Sequence, residues 1–229
     1  MSASSSDFDV VSRSIKARKS VRAFTSEAVS KDAIEAVLET ARFAPSGTNT
    51  QPWEVSVVTG AARSAIVQAL LSCFDAGASE GMDYQYYPEE WVAPYKPRRL
   101  ACGLALYSAL GIERQDKEAQ RAHWRRNYEA FGAPTLLFFS IDKVLDKGSY
   151  LDYGMFLQNI AIAATAKGLA TCMQAALANY PDVVRKHLDL PSNKLILCGM
   201  GIGYEDKDHP LNNYRTEREP VERFTRFID

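Results

Sequence analysis

The stretch Thr135-Leu-Leu-Phe-Phe-Ser-Ile141 is a continuous apolar run, which is the pattern of a strand buried inside a sheet. A second run of this kind extends from Leu195 to Ile202. A third strand is predicted from Trp53 to Thr59, where apolar and polar residues alternate as they do when one face of a sheet is covered. These three strands are the predicted sheet around which the rest of the chain is arranged.

Helical patterns surround the predicted strands. Ser30 is placed to cap a helix that must end near Ala44, because Pro45 disfavours helix in the residue before it. The stretch 151–167 is apolar on nearly all sides, which places it at the centre of the domain or of a dimer. Further helices are predicted at 9–18, 61–76, 99–110, 115–130 and 181–188.

Strands and helices intermix along the chain without a linker or an internal repeat. The sequence therefore predicts one α+β domain that takes in residues 1–229. Within it, residues 1–7 are expected to form a flexible tail. Residues 79–99 contain Pro, Gly and many aromatic residues without a clear period, and they are expected to form an excursion or lid.

The composition excludes several classes of function. The net charge of −1 gives no support for binding to nucleic acid or to a membrane surface. No apolar run approaches the roughly 18 residues of a membrane span, and the polar, acidic N-terminus is unlike a signal peptide. The cysteines are widely spaced without a CxxC pair, so we expect free thiols in a reducing compartment and a cytoplasmic protein. These are Cys73, Cys102, Cys172 and Cys198.

The segment Arg18-Lys-Ser-Val-Arg22 concentrates hydrogen-bond donors that suit a phosphate group. In an extended chain, residues 18, 20 and 22 project to the same side and form a three-pronged anion site. The alternative interpretation is a solvated basic patch at a helix end. The closing segment Arg215-Thr-Glu-Arg218 offers another arginine to a phosphate, or is a solvated charged tail.

The loop Ala44-Pro-Ser-Gly-Thr-Asn-Thr-Gln-Pro-Trp53 is crowded with small polar side chains between two prolines. Rigid loops of this kind often carry function, and Gly47 allows the backbone to approach a ligand closely. The alternative is an ordinary connection between a helix and a strand. Both interpretations remain open at this point.

Other chemical motifs are weak or missing. Gly199-Met-Gly-Ile-Gly203 has GxGxG spacing instead of the GxGxxG of dinucleotide-binding folds, so tight strand packing is expected there. The three histidines fall in unrelated segments, and no HExxH or GxSxG motif occurs. We therefore expect no metal site and no dedicated protein nucleophile.

Taken in order, five pieces of the chain resemble the nitroreductase superfamily of flavoproteins. They are Arg18–Arg22, Ala44–Trp53, Ala166-Lys-Gly-Leu-Ala-Thr171, Gly201-Ile-Gly-Tyr204 and Arg215–Arg218. The resemblance runs from about residue 12 to about residue 227. The middle stretch, from Tyr84 to Phe131, resembles the nitroarene and nitrobenzoate reductase branch.

This resemblance implies a mixed sheet flanked by helices, in an intertwined homodimer with two FMN sites at its interface. It implies that Arg18, Ser20 and Arg218 hold the FMN phosphate, with Lys19 in the same cofactor-binding segment. Arg22 would lie beside the pyrimidine edge of the flavin. Pro45, Ser46, Gly47 and Asn49 would reach FMN from the partner subunit. Met173, Gln174 and Ala175 would run past the isoalloxazine ring, with a hydrogen bond to N5 from Gln174 or from the backbone.

The implied activity is NAD(P)H-dependent reduction of nitroaromatic compounds by a ping-pong hydride mechanism, in which FMN carries the chemistry and no protein residue is catalytic. Whether NADH or NADPH is the donor stays open. The alternatives are another oxidant (an enone, a quinone, a halogenated phenol or a flavin) and a non-catalytic flavin-binding dimer. Tyr86 and Trp91 are candidates to stack on a flat arene, and Lys96 to attract a carboxylate on it. The alternative for these three is helix packing with a solvated basic edge.

Overall fold

The computed structural model describes residues 6–79 and 81–228. The strands are β1 (Glu54–Val58), β2 (Thr135–Asp142), β3 (Ala170–Gln174) and β4 (Lys194–Gly203). The helices are α1 (Asp7–Ala17), α2 (Lys31–Ala41), α3 (Gly60–Asp75), α4 (Tyr95–Ala109), α5 (Lys117–Arg125), α6 (Lys147–Ala166) and α7 (Pro181–Leu188). The predicted α+β class is confirmed.

The sheet has the order β1-β2-β4-β3, and all three strand pairs are antiparallel. The sheet was expected to be mixed, but its four strands are all paired in antiparallel fashion. Among the described residues, the parallel pairing is an isolated bridge between Ser20 and Thr171. Strand β3 was not predicted, because it is only five residues long and is buried at four of them, so it shows no alternation.

Both faces of β2 are covered by helices, which explains its unbroken apolar sequence. Leu137 and Phe139 belong to the core on the side of α2 and α6. Leu136 and Phe138 belong to the core on the side of α3 and α7. Successive side chains of a strand point to opposite faces, so one apolar strand supplies both cores.

Several helix boundaries differ from the prediction. Helix α1 starts at Asp7, because Ser6 and Asp9 form a capping box. Residues 6 and 7 therefore belong to the helix and its cap, whereas residues 1–5 of the expected tail lie outside the described residues. Helix α5 ends at Arg125 instead of residue 130. The chain continues through turns to Ala130 and Phe131, whose left-handed conformation (φ 49° and 54°) does not fit a helix that reaches residue 130.

Helix α6 is not covered on all sides within one chain. It begins at Lys147, where the Asp146 side chain accepts a hydrogen bond from the Lys147 N–H. Leu151 and Met155 on its surface are 74% and 39% exposed. The apolar pattern that predicted a central helix therefore leaves an apolar strip open on the single chain.

The glycines of β4 allow close packing, as the sequence predicted. A Cβ atom at Gly199 would lie 2.5 Å from the side chain of Leu177, and one at Gly203 would lie 2.6 Å from Pro134. Such distances are far below van der Waals contact. The GxGxG motif therefore serves strand packing.

The expected excursion of residues 79–99 is irregular only up to Pro94, because residues 95–99 form the first turn of α4. Its base is tied to the sheet. Asp83 pairs with Arg185 at 2.5 Å, and both side chains are largely buried. The Tyr84 hydroxyl donates to the carbonyl of Leu197 at 2.8 Å. Among the described residues, no helix combines the length and the apolar character that crossing a membrane requires.

The buried imidazole of His123 is expected to make stability depend on pH. Burial, followed by the charges of Arg126 and Arg22, lowers its pKa from 6.5 to about 4. Between these values the unfolded chain binds a proton that the folded chain does not, so the free energy of unfolding falls as the pH drops through this window. The substitution His123→Phe should remove up to about 3 kcal/mol of that fall. Urea titrations inside and above the window measure it, and equal pH slopes for both proteins would contradict it.

Candidate functional site

A cavity of about 490 Å³ opens at the end of α1, between the N-terminal segment and the C-terminal tail. This volume is within the range of small-molecule sites. Its lining includes Ser20 and six basic residues, and none of its lining residues is acidic. The basic residues are Lys16, Arg18, Lys19, Arg22, Arg215 and Arg218. The cavity is therefore a strongly positive environment that suits an anion.

The segment 18–22 reaches the cavity because α1 ends before it and the chain becomes extended. Arg18 has φ −55° and ψ 132°, and the N–H of Val21 donates to the carbonyl of Thr171 at 3.0 Å. Val21 is buried in the core, while Arg18, Ser20 and Arg22 line the cavity. The alternation that the sequence analysis described for an extended chain thus brings these three side chains together.

Arg18 lacks a partner for part of its guanidinium group. Its buried Nε atom has no hydrogen-bond partner in the described structure. Burial, and then the charges of Arg218 and Arg215, lower the pKa of Arg18. An unpaired buried donor among like charges is costly. A phosphate dianion would satisfy this donor and reduce the repulsion, so the residues present fit a phosphate-bearing ligand.

Lys19 lines the same cavity, but its charge is compensated within the chain. Its Nζ atom forms an ion pair with Glu205 and donates to the carbonyl of Asn212 at 2.6 Å. The sequence shows the positive charge but not this partner. Lys19 therefore ties the N-terminal segment to the tail. Of the cations assigned to the site from the sequence, Arg18, Arg22 and Arg218 have no carboxylate partner in the described structure.

The sequence analysis missed the residue that joins these segments, Asn212. Its Oδ1 atom accepts from the N–H of Arg22 at 2.9 Å. Its Nδ2 atom donates to the carbonyls of Ala23 and Asp206 at 2.9 and 2.7 Å. The side chain is buried, so these bonds are shielded from water. No local pattern marks Asn212, because its partner Arg22 is 190 residues away in the chain.

Arg215 connects the tail to the end of α1. Its guanidinium group donates to the carbonyls of Lys16, Ala17 and Arg18 at 2.7 to 3.1 Å. A cation at this place also complements the partial negative charge of the helix C-terminus. The sequence motif drew attention to this segment, but Arg218 alone was assigned to the site.

Arg22 lies beside Tyr214 in the cavity. Its Nη1 atom is 3.3 Å from the carbonyl oxygen of Ser20 and 3.4 Å from the hydroxyl of Tyr214. The backbone of Arg22 is fixed by its hydrogen bond to Asn212, so the position from which the Arg22 side chain extends is also fixed. This is the geometry of a cation held at the wall of a binding site.

The loop residues assigned to the site do not reach the cavity of their own chain. Pro45, Ser46, Gly47 and Asn49 are outside its lining. All except the partly exposed Ser46 are exposed. Within one chain, the structure therefore gives two separate elements, a basic cavity and an exposed polar loop.

The residues assigned to the ring also lie outside the cavity lining. Met173 is 39% exposed, whereas Gln174 is buried on the opposite side of β3. Gln174 donates through Nε2 to the carbonyl of Asn127 at 2.8 Å, and its Oε1 atom has no partner in the described structure. Ala175 starts the short turn after β3. The side chain of Gln174 is thus directed toward Asn127.

The three substrate candidates lie in the excursion and the first turn of α4, outside the cavity lining. Tyr86 contacts Tyr87, with ring centroids 4.6 Å apart. Trp91 contacts Tyr87 at 5.7 Å and carries the guanidinium of Arg99 over its ring. Lys96 is exposed. The aromatic residues thus form a connected cluster with a basic edge. Among residues 6–79 and 81–228, no group of three metal-ligating side chains occurs.

The fold and the cavity define an α+β protein with a strongly cationic cavity whose residues fit a phosphate-bearing ligand. The Nitroreductase family model matches residues 15–204. A 4-nitrobenzoate reductase of Nocardioides sp. (strain LMS-CY) is 36% identical, covering 96% of this chain and 90% of that protein. A nitrobenzene nitroreductase of Ectopseudomonas oleovorans is 36% identical, covering 93% and 95%. This chain therefore belongs to the nitroreductase family.

A solved structure agrees with this assignment. The FMN-dependent nitroreductase NfnB from Mycobacterium smegmatis, in complex with NADPH, superposes with a TM-score of 0.93 at 33% identity, and the match covers 97% of this chain and 100% of that one. The nitroreductase-like fold implied by the sequence resemblance is confirmed.

Replacing Asn212 should destabilise the junction around the cavity. Asn212→Ala leaves the N–H of Arg22 without its partner and removes one hydrogen bond to each of the carbonyls of Ala23 and Asp206. The unsatisfied donor and the two lost bonds together cost about 3 kcal/mol. We expect a fall of that size in the free energy of unfolding, measured by urea denaturation. As a control, Asn213→Ala changes an exposed neighbour and should have little effect. Equal stabilities of the two variants would contradict the role given to Asn212.

Proposed function

We propose that this chain is a homodimeric, FMN-dependent oxidoreductase that uses NAD(P)H to reduce nitroaromatic compounds. The observation that carries the proposal is the basic cavity with the unpaired Nε atom of Arg18. The named activities of the relatives, 4-nitrobenzoate and nitrobenzene reduction, support the choice of oxidant.

In this proposal the cavity holds the phosphate group of FMN. Arg18 and Arg218 supply charge, and Ser20 supplies a short hydroxyl donor. Arg22 is proposed to lie at the pyrimidine edge of the flavin, where its fixed positive charge favours the anionic reduced form. Bound FMN would supply the transfer of hydride from NAD(P)H to the oxidant. The protein residues bind and orient, so no catalytic side chain is assigned.

We propose that the site is completed by a second copy of the chain. The loop with Pro45, Ser46, Gly47 and Asn49 is exposed and lies outside the cavity of its own chain. Large apolar side chains are also exposed on neighbouring elements. They are Phe8 and Val11 on α1, Leu151 and Met155 on α6, and Phe224 and Phe227 in the tail. Exposed apolar area of this kind fits burial in an interface.

The aromatic cluster of the excursion is proposed to contact the arene. Tyr86 and Trp91 offer ring faces, and Lys96 offers a charge to a carboxylate on the substrate. The segment is tied to the sheet at Asp83 and Tyr84 but is exposed beyond them. We also propose a cytoplasmic location, because all four cysteines are free thiols.

An anaerobic visible spectrum of the purified protein tests the proposal directly. We expect a yellow protein that bleaches when NADH or NADPH is added and regains its colour with nitrobenzoate. A protein that binds FMN but is not bleached by either nucleotide would be a non-catalytic flavin-binding dimer. One that bleaches but ignores nitrobenzoate would use another oxidant. A colourless protein that cannot be reconstituted with FMN would overturn the cofactor assignment.

The phosphate assignment is tested by comparing FMN with riboflavin, which lacks the phosphate. Removing a charge-assisted hydrogen bond costs about 1.5 to 3 kcal/mol, so Arg18→Ala should weaken FMN binding about 10- to 100-fold. Riboflavin binding should be unchanged. Arg13→Ala removes an exposed cation of α1 outside the cavity lining and serves as the control. Equal losses for both ligands would show that Arg18 does not bind the phosphate.

The substrate assignment is tested by steady-state kinetics with 4-nitrobenzoate and uncharged nitrobenzene. An exposed ion pair contributes up to about 1 kcal/mol, so Lys96→Ala should raise the KM for nitrobenzoate about 2- to 5-fold and leave that for nitrobenzene unchanged. Trp91→Ala should raise both KM values. Lys186→Ala, which removes an exposed lysine on α7, is the control. Unchanged kinetics for the first two variants would refute the assignment.

A further inference from the structure

Two adjacent residues of α6 hold the loop between α2 and β1, one near the middle of the loop and one where β1 begins. The Asp152 carboxylate accepts a hydrogen bond through Oδ2 from the N–H of Gly47 at 3.1 Å. The Tyr153 hydroxyl bonds to the N–H and the carbonyl of Glu54, at 3.0 and 2.8 Å. The loop is therefore fixed to one helix near its middle and at its end.

The loop backbone has an unusual conformation. Thr48, Asn49 and Gln51 are left-handed, with φ of 49°, 60° and 47°. Each such residue that is not glycine costs of order 1 kcal/mol. Bonds inside the loop support this shape, among them the N–H of Gln51 to Oγ of Ser46 at 3.0 Å. In the described structure, the bond from Gly47 to Asp152 is the one hydrogen bond that links residues 45–51 to another segment.

The residues next to Asp152 on the outer face of α6 are not covered by the rest of the chain. Leu151, the residue before it, is 74% exposed, and Met155, three residues later, is 39% exposed. Residues three apart on a helix share a face, so Asp152 lies at the edge of an uncovered apolar strip. The loop that it anchors is exposed beside this strip and lies outside its own basic cavity.

We propose that Asp152 is a positioning residue that orders the loop of its own subunit for the FMN site of the partner subunit. The inference rests on the proposed function, because it needs an FMN site shared between two copies. A loop without this anchor would lose its strained shape, and FMN binding would have to restore it. The residue has no contact with FMN in this proposal and acts through the backbone of Gly47.

The first test is FMN affinity of the dimer, followed by flavin fluorescence. Loss of a charge-assisted hydrogen bond from a preordered loop predicts about 10-fold weaker binding for Asp152→Ala. Asp152→Asn keeps an acceptor oxygen and should bind FMN nearly as well as the unchanged protein. Glu39→Ala, an exposed carboxylate of α2 without a contact to the loop, is the matched control. Far-UV circular dichroism and the size of the dimer should be the same for all variants.

The second test asks on which subunit Asp152 acts. Heterodimers are purified with two affinity tags, one subunit carrying Arg18→Ala and the other Asp152→Ala. If Asp152 serves the partner's site, both defects fall in one site and the other site is intact. Such heterodimers should bind one FMN per dimer at a concentration that fills neither homodimer of the variants. A heterodimer of the double variant with an unchanged subunit should have no intact site.

The outcomes separate the two proposals. Failure of the unchanged protein to bind FMN would overturn the proposed function and the inference with it. Normal FMN binding by Asp152→Ala would overturn the role of Asp152 and leave the proposed function standing. Weaker binding by Asp152→Ala without an intact site in the mixed heterodimer would show that Asp152 acts on its own subunit's site, which also overturns the inference.

Discussion

The mutual repulsion of six basic side chains around one cavity is the constraint on which the rest of the site depends. These residues come from the two ends of the described chain, and the fold must hold them together. It does so by giving some of them internal partners. Arg215 bonds to three carbonyls at the end of α1, and Lys19 pairs with Glu205. Asn212 fixes the backbone between them. Arg18, Arg22 and Arg218, the cations assigned to the site from the sequence, and Lys16 at the end of α1 have no carboxylate partner in the described structure.

Helix α6 plays the corresponding part for the loop between α2 and β1. Its inner face contributes Phe156 and Ile160 to the core over β2. The buried hydroxyl of Tyr153 bonds to Ser140 of β2 as well as to Glu54 of β1. Its outer face carries Asp152 and the exposed Leu151. A single helix thus couples the packing of the sheet to the position of the loop. A substitution in the core beneath α6 would therefore also shift the loop.

The sequence predicted the parts of the fold whose signals are local. Strands β2 and β4 were found because burial on both faces requires an apolar run, and α7 was placed at its observed bounds through Pro181 at its start. Strand β3 was missed because five residues between a helix and a turn carry little pattern. The basic segment 18–22 was found because its donors are neighbours in the chain. That the segment is extended was a condition of the sequence argument, and the structure supplies it.

The residues that hold the site together gave no such signal. Asn212 and Asp152 act on residues 190 and 105 positions away, so no window of sequence contains both partners. For the same reason the sequence showed Lys19 as a free cation and not as half of an ion pair with Glu205. Local patterns identify groups that can bind a ligand, because those depend on residue type. Which groups remain free to bind depends on long-range partners, and only the folded chain determines these.

A strained and exposed loop is difficult to explain by the stability of a single chain. Three left-handed residues that are not glycine cost free energy, and the loop buries little in return because almost all of it is exposed. Selection for folding alone would favour glycine or a relaxed turn at these positions. The proposed role of the loop, which is to complete a site on a second copy, would account for this conformation. In the proposed dimer, FMN occupancy and dimer assembly would be linked, since a ligand that binds only the assembled site stabilises the assembly.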